Sequence, residues 1–148
     1  MAILHLVCGL PGSGKTTLAA RLAETDGTIW LSPDRWLLQL DLDGYDEARR
    51  GAVERLQWDL ALRLLALGVD VILDNGFWSR AERNGLRTEA AALGARVRLH
   101  YLDVPIDELK RRLAIRNQRG CTDSFEVAPP DLEQWQAVFE PPDAVELG

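Results

Sequence analysis

Apolar positions follow two alternating rhythms along this chain. Ala2 to Cys8 is a short apolar run, and Val69-Asp70-Val71-Ile72-Leu73-Asp74 is another. Runs of this length read as strands buried on both faces. Thr28-Ile29-Trp30-Leu31 reads as a further strand, and 95–103 alternates as a fourth. Between them the apolar spacing changes to three and four. Leu18 and Leu22 mark a helix over 17–24, and Val53, Leu56, Leu60, Leu64 and Leu67 mark a long one over 46–67. Leu86, Ala90 and Leu93 mark the next, and Ile106, Leu109 and Leu113 another that Pro105 opens. Ser32-Pro33 gives a cap and first-turn proline for a short helix from 33 to 40, and Ser79 to Glu82 has capping-box spacing. The stretch 118–130 is polar and reads as mobile, 131–139 as a last helix, and 144–147 as a short edge strand.

Strands that alternate with helices imply a three-layer α/β/α sandwich around a parallel sheet of four to five strands. At 148 residues this predicts one domain, 1–148, with a lid around 112–130. In such a sheet, ligands bind beyond the carboxyl ends of the strands. The segments 9–16, 32–35 and 74–78 all follow strand ends, so they are expected to surround one cleft.

The first of these segments carries the chemistry. Gly9-Leu10-Pro11-Gly12-Ser13-Gly14-Lys15-Thr16 fits the P-loop spacing G-x-x-x-x-G-K-[ST], between a strand and a helix as that motif requires. Glycines let the backbone close on an anion, and the helix start adds unpaired N–H groups. Gly9 to Thr17 are therefore the expected nucleotide cradle. Lys15 supplies charge for the outer phosphates, and Thr16 a hydroxyl for Mg²⁺. Asp74 can hold Mg²⁺ beside Thr16, grip an acceptor, or cap the next turn. Asp34 is placed to orient an alcohol and take its proton, or to suit a helix dipole. Arg112, Arg116 and Arg119 share a helical face leading into the expected lid, where guanidinium groups would offset phosphoryl charge. Arg116 and Arg119 are the catalytic candidates, and Arg112 a nucleotide ligand. Arg80, Arg83 and Arg87 form a second stripe, open between acceptor site and surface. Arg35 is open between binding an anion and pairing on the surface. Among five tryptophans, Trp30, Trp58 and Trp135 read as core, and Trp36 and Trp78 are open between an acceptor wall and core packing, with core the safer reading for either one. His5 and His100 sit inside strands and are assigned no catalytic role.

Net charge of -6 weighs against a large nucleic-acid footprint. Two cysteines make no disulfide framework, and Cys8 in a strand with Cys121 in a polar loop suits the cytoplasm. The apolar start is too short to span a membrane and runs straight into the glycine loop.

Gly9 to Thr17, Ser32 to Arg35, Leu73 to Gly76 with Arg80 and Arg83, and Arg112 to Arg119 together resemble the P-loop kinase group. The most similar branch holds polynucleotide 5′-hydroxyl kinases, zeta-toxin-like kinases and chloramphenicol phosphotransferase. Many members carry the description AAA-family ATP-binding protein. The resemblance implies ATP- and Mg²⁺-dependent transfer of the γ-phosphate to a hydroxyl, with Asp34 as base and Arg112, Arg116 and Arg119 as lid arginines. A small-molecule or nucleoside-type acceptor is the first reading. The alternatives are a polynucleotide 5′-hydroxyl kinase, which needs a basic track, and an NTPase switch without acceptor. The guanine-reading motif N-K-x-D is missing from the sequence.

Overall fold

The computed structural model describes residues 1–120 and 125–148. Strand β1, Ile3–Cys8, leads through the glycine loop into α1, Lys15–Leu22. Then come β2, Thr28–Leu31, α2, Pro33–Gln39, and α3, Glu47–Ala66. Strand β3, Asp70–Gly76, is followed by α4, Arg80–Ala92, and β4, Arg96–Tyr101. The chain ends with α5, Ile106–Arg119, α6, Pro129–Val138, and α7, Ala144–Leu147. The sheet has four strands in the order β2-β3-β1-β4, and every pairing is parallel. Strand β1 is thus central and nearly fully buried, as its unbroken apolar run requires.

Both faces of the sheet are covered. On one face Leu4, Leu6, Val71 and Leu73 pack with Ala61 and Leu65 of α3 and Ala90 of α4. On the other, Val7 and Ile72 pack with Ala19 of α1. A third cluster joins Leu10 of the glycine loop to Leu109 and Leu113 of α5 and Leu132 of α6, so these helices brace the loop. Burying each leucine of these clusters contributes about 1.5–3 kcal/mol. The expected α/β sandwich and its parallel sheet are what the chain forms.

Several details differ from the sequence reading. Ala144–Leu147 is a helix, not an edge strand. Asp143 accepts from the Glu146 N–H at 2.9 Å, and Glu146 reaches back to the Asp143 N–H at 3.4 Å, which closes a capping box. Strand β3 runs through Asn75 to Gly76 instead of ending at Asp74, because Gly76 still pairs with Cys8. The inner face of α3 is Val53, Gln57, Ala61 and Leu65, while Leu56 and Leu67 are exposed. Periodicity chose the stripe with more leucines, but contact with the sheet selects the narrower residues. Trp30, Trp58 and Trp135 are only half-buried. Trp36 packs against the core instead of standing beside the cleft. His5 and His100 stack on each other, with ring nitrogens 2.9 Å apart. Cys121 and residues 122–124 of the expected lid lie outside the described residues. Among those described, no helix is long and apolar enough to cross a membrane.

Candidate active site

One cavity of about 820 Å³ opens at the carboxyl ends of the strands. All three segments expected to converge contribute to its lining: Pro11, Gly12 and Gly14 to Thr17 of the glycine loop, Ser32 to Asp34, and Asp74, Asn75, Phe77 and Trp78, while Gly9, Leu10, Ser13, Arg35 and Gly76 do not.

The loop is shaped for an anion. Gly12 and Gly14 take φ of +85° and +100°, a region that side chains disfavour. A Cβ at Gly12 would also come within 3.0 Å of Leu113. The Gly9 N–H donates to the Gly76 carbonyl at 3.0 Å, so the loop is tied to β3. Gly14 caps α1 without a side-chain hydrogen bond, and the first turn of α1 carries no acid. Its end N–H groups thus face the cavity with no side-chain partner. The Ser13 hydroxyl is buried and unpaired among the described residues. It lies against the backbone of Gly9 and is not part of the cavity lining. Lys15 Nζ donates to the Leu10 carbonyl at 3.1 Å and lies on the cavity wall. Burial draws its ammonium down to about 8, while Asp74 and Asp34 pull upward.

Asp74 is buried and accepts from Trp30 Nε1 at 3.1 Å. Burial lifts its carboxyl to about 6, against the hydrogen bond from Trp30 and the charge of Lys15. Thr16 lines the same wall. Among the described residues no three His, Cys, Asp or Glu side chains gather as a metal cage. Mg²⁺ needs none, since it keeps several waters and takes one or two protein ligands plus phosphate oxygens. One carboxylate and one hydroxyl beside the glycine loop fit that ion.

Asp34 sits in the first turn of α2, behind the Ser32 cap. Its Oδ1 accepts from Arg50 Nη2 at 2.6 Å. Arg50 Nε also donates to the Gly44 carbonyl at 2.8 Å. The guanidinium therefore fixes the Asp34 carboxylate where the cavity can use it. Arg35 stacks over Trp30, 4.4 Å from the ring centre.

The lid arginines separate. Arg112 lines the cavity, donating to the Gly12 carbonyl at 3.3 Å and pairing with Glu108 at 3.0 Å. Arg116 lines it too and donates to the Phe125 carbonyl at 3.2 Å, but its Nε is buried without a partner among the described residues. Arg119 is exposed at the end of α5, away from the cavity lining. The arginines of α4 are engaged elsewhere. Arg83 is fully buried, pairs with Glu146 at 2.9 Å, and donates to the Phe77 carbonyl at 2.7 Å. Arg80 and Arg87 converge on the same Glu146. The stripe thus clamps the C-terminal helix and does not form an acceptor surface.

Sequence reasoning missed Arg50, Glu54, Glu82, Tyr45, Phe125 and Trp135, all on the cavity wall. A signal existed for three of them. In a parallel sheet the covering helices begin at the carboxyl ends of the strands, so their early turns face the cleft. Arg50 and Glu54 lie in the first two turns of α3, and Glu82 in the first turn of α4. Trp135 pairs with Trp78, ring centres 5.6 Å apart, as an aromatic wall. Phe125 lies over Gly44, which has no side chain to hold it off.

A family model described as AAA domain matches residues 4–142. No curated protein is significantly similar in sequence. Among solved structures, a chain of the Pnkp1/Rnl/Hen1 RNA repair complex superposes with a TM-score of 0.79 at 20% identity, over 93% of this chain. This chain spans only 43% of that one. A gluconokinase from Sinorhizobium meliloti 1021 superposes at 0.65 and 19% identity, over 97% of this chain and 77% of its own. The APS kinase from Mycobacterium tuberculosis, in complex with AMPPNP and APS, gives 0.58 at 25% identity, over 93% of this chain and 95% of its own.

Proposed function

The chain belongs to the AAA domain family, of P-loop kinase type, and from that premise we propose that it transfers the γ-phosphate of ATP to a hydroxyl of a small-molecule or nucleoside-type acceptor. One observation carries the reading: Asp34 and the glycine loop line the same cavity, and the charge of Asp34 reaches Lys15.

In this reading the amides of Gly12 to Thr16 hold the β- and γ-phosphates, and Lys15 offsets their charge. Arg112 and Arg116 enter from α5 and favour the more concentrated charge of the transferring group. Thr16 and Asp74 would hold Mg²⁺, which would supply neutralising charge to the phosphoryl group when bound. Asp34, oriented by Arg50, takes the proton of the acceptor hydroxyl. That oxygen bonds to phosphorus as the bridging bond to ADP breaks. The buried free thiol of Cys8, pushed up to about 11 by burial, suits a reducing cytoplasm.

The test is a transfer screen with γ-labelled ATP against nucleosides, sugars, hydroxylated antibiotics and short 5′-hydroxyl oligonucleotides. Asp34→Asn is expected to lower transfer by about 10²-fold or more with ATP binding retained. If transfer survives that change undiminished, Asp34 is no base. Lys15→Ala is expected to weaken ATP binding in calorimetry, and unchanged affinity would remove the nucleotide assignment. An NTPase switch would keep its ATP hydrolysis in Asp34→Asn.

A further inference from the structure

Away from the glycine loop, the cavity wall changes sign. Asp34, Glu54 and Glu82 face it from α2, α3 and α4, with Arg50 the one cation among them. Arg50 is already committed to Asp34 at 2.6 Å and to the Gly44 carbonyl at 2.8 Å. Glu54 shares the same guanidinium as a long ion pair, 4.0 Å from Arg50 Nη1, so Asp34 and Glu54 together carry more negative charge than Arg50 offsets. Glu82 has no ion pair within that distance among the described residues, and its charge bears on Glu54. Burial lifts the Glu54 carboxyl against the charge of Arg50, while Glu82, exposed in the first turn of α4, feels the charge of Arg83. Asn75 adds an independent feature to the same wall: its Oδ1 is buried with no hydrogen-bond partner among the described residues. This half of the cavity therefore offers hydrogen-bond acceptors and negative charge, with its one guanidinium spent. Trp78 and Trp135 stand beside it as a flat apolar face.

We propose that the phosphate acceptor is a hydroxylated amine, of the amino-sugar or amino-alcohol class, whose ammonium pairs with Glu54 and Glu82 while its hydroxyl meets Asp34. The proposal rests on the phosphotransfer reading and narrows it. An ammonium relieves two carboxylates that otherwise repel, and its N–H groups satisfy an orphan carbonyl. A phosphorylated acceptor, or the next phosphate of an oligonucleotide, would bring like charge to the same wall and be rejected by it.

The experiment compares sets that differ in one group: glucosamine, glucose and glucose 6-phosphate; ethanolamine and ethylene glycol; kanamycin; and a 5′-hydroxyl dinucleotide. Transfer from labelled ATP and direct binding by calorimetry are read in parallel. An amine is expected to exceed its neutral counterpart by about tenfold or more in kcat/KM, and the anionic member to fall below both. Glu54→Gln and Glu82→Gln keep side-chain shape, and each is expected to reduce that preference, the pair together to about threefold or less. A preference that survives both changes, equal use of the anionic member, or no amine binding at all overturns the proposal. If an amine binds in a Glu54- and Glu82-dependent way but no acceptor is phosphorylated, the amine site stands and the kinase reading falls. If a neutral or anionic acceptor is phosphorylated best, the kinase reading stands and the amine site falls.

Discussion

Asp74 is an ionisable group in a place where burial disfavours ionisation, with a carboxyl near 6 instead of its ordinary 3.8. The folded form therefore binds a proton more tightly than the unfolded chain. Between about pH 4 and 6 the stability contributed by this group falls as pH rises, and at pH 7.5 the whole of that cost is present. Replacing Asp74 by Asn removes the charge and keeps an oxygen for Trp30. The expected result at pH 7.5 is a melting temperature higher by about 3 °C or more, together with loss of Mg²⁺-dependent activity. A lower melting temperature would mean that the carboxylate stabilises the empty fold. At this scale, legibility followed the spacing of the motif. The place of Lys15 and Thr16 on the cavity wall was readable because they follow the last glycine of the loop. Asp34 and Asp74 were readable because each comes at or just after a strand end. Arg50 was not, since it follows Arg49 in a charge-rich stretch and only the fold shows that one turns to Asp34 at 2.6 Å while its neighbour pairs with Asp46.

The elements show the same division between local rules and contacts made at a distance. The caps of α2 and α4 were readable because a serine and the next three residues decide them. The end of the chain was not, because the state of 144–147 depends on arginines some sixty positions earlier. Glu146 gathers Arg80, Arg83 and Arg87, and Arg83 in turn holds the carbonyl of Phe77. Phe77 is a buried phenylalanine at φ +52°, a conformation that a bulky residue keeps only when its surroundings enforce it. The short terminal helix thus supports the turn that carries Trp78 into the cavity. The Glu140 N–H adds a second tie to the Trp78 carbonyl at 2.8 Å. Truncating Glu146 to Ala leaves the Arg83 charge buried and unpaired, with an expected cost of about 3–5 kcal/mol in a denaturant titration. The arginines hold the Glu146 carboxyl down to about 2. Its stabilising contribution is complete above the ordinary glutamate range and is lost as pH falls from about 4.5 to 2. Acid unfolding of the native chain in that window is expected, and Glu146→Gln should flatten it. A cost under about 1 kcal/mol for the alanine change would mark the clamp as a surface ornament.

Across the whole molecule, charge is sorted by place more than by amount. The chain carries 17 basic and 23 acidic residues, yet Lys15, Arg112 and Arg116 all line the one cavity that the glycine loop borders. Arg80, Arg83 and Arg87 of the other visible basic stripe share Glu146, with Asp143 also on Arg80, and Arg111 is paired with Glu108. This distribution bears on the alternative reading, a polynucleotide 5′-hydroxyl kinase, which needs a basic track. Single strands lose affinity with salt at a log-log slope of about -0.7 for each phosphate neutralised. A track that held an oligonucleotide by four or five phosphates would give a slope near -3. The cations left over once the nucleotide is bound support far less. A 5′-hydroxyl RNA of ten nucleotides, titrated with ADP and Mg²⁺ present over about 50 to 200 mM salt, is expected to bind weakly with a slope no steeper than about -1. A steep slope would point to a basic surface that forms only in the complex. It would also return the oligonucleotide end to the front of the acceptor list, since an acidic wall is no obstacle to a chain anchored elsewhere.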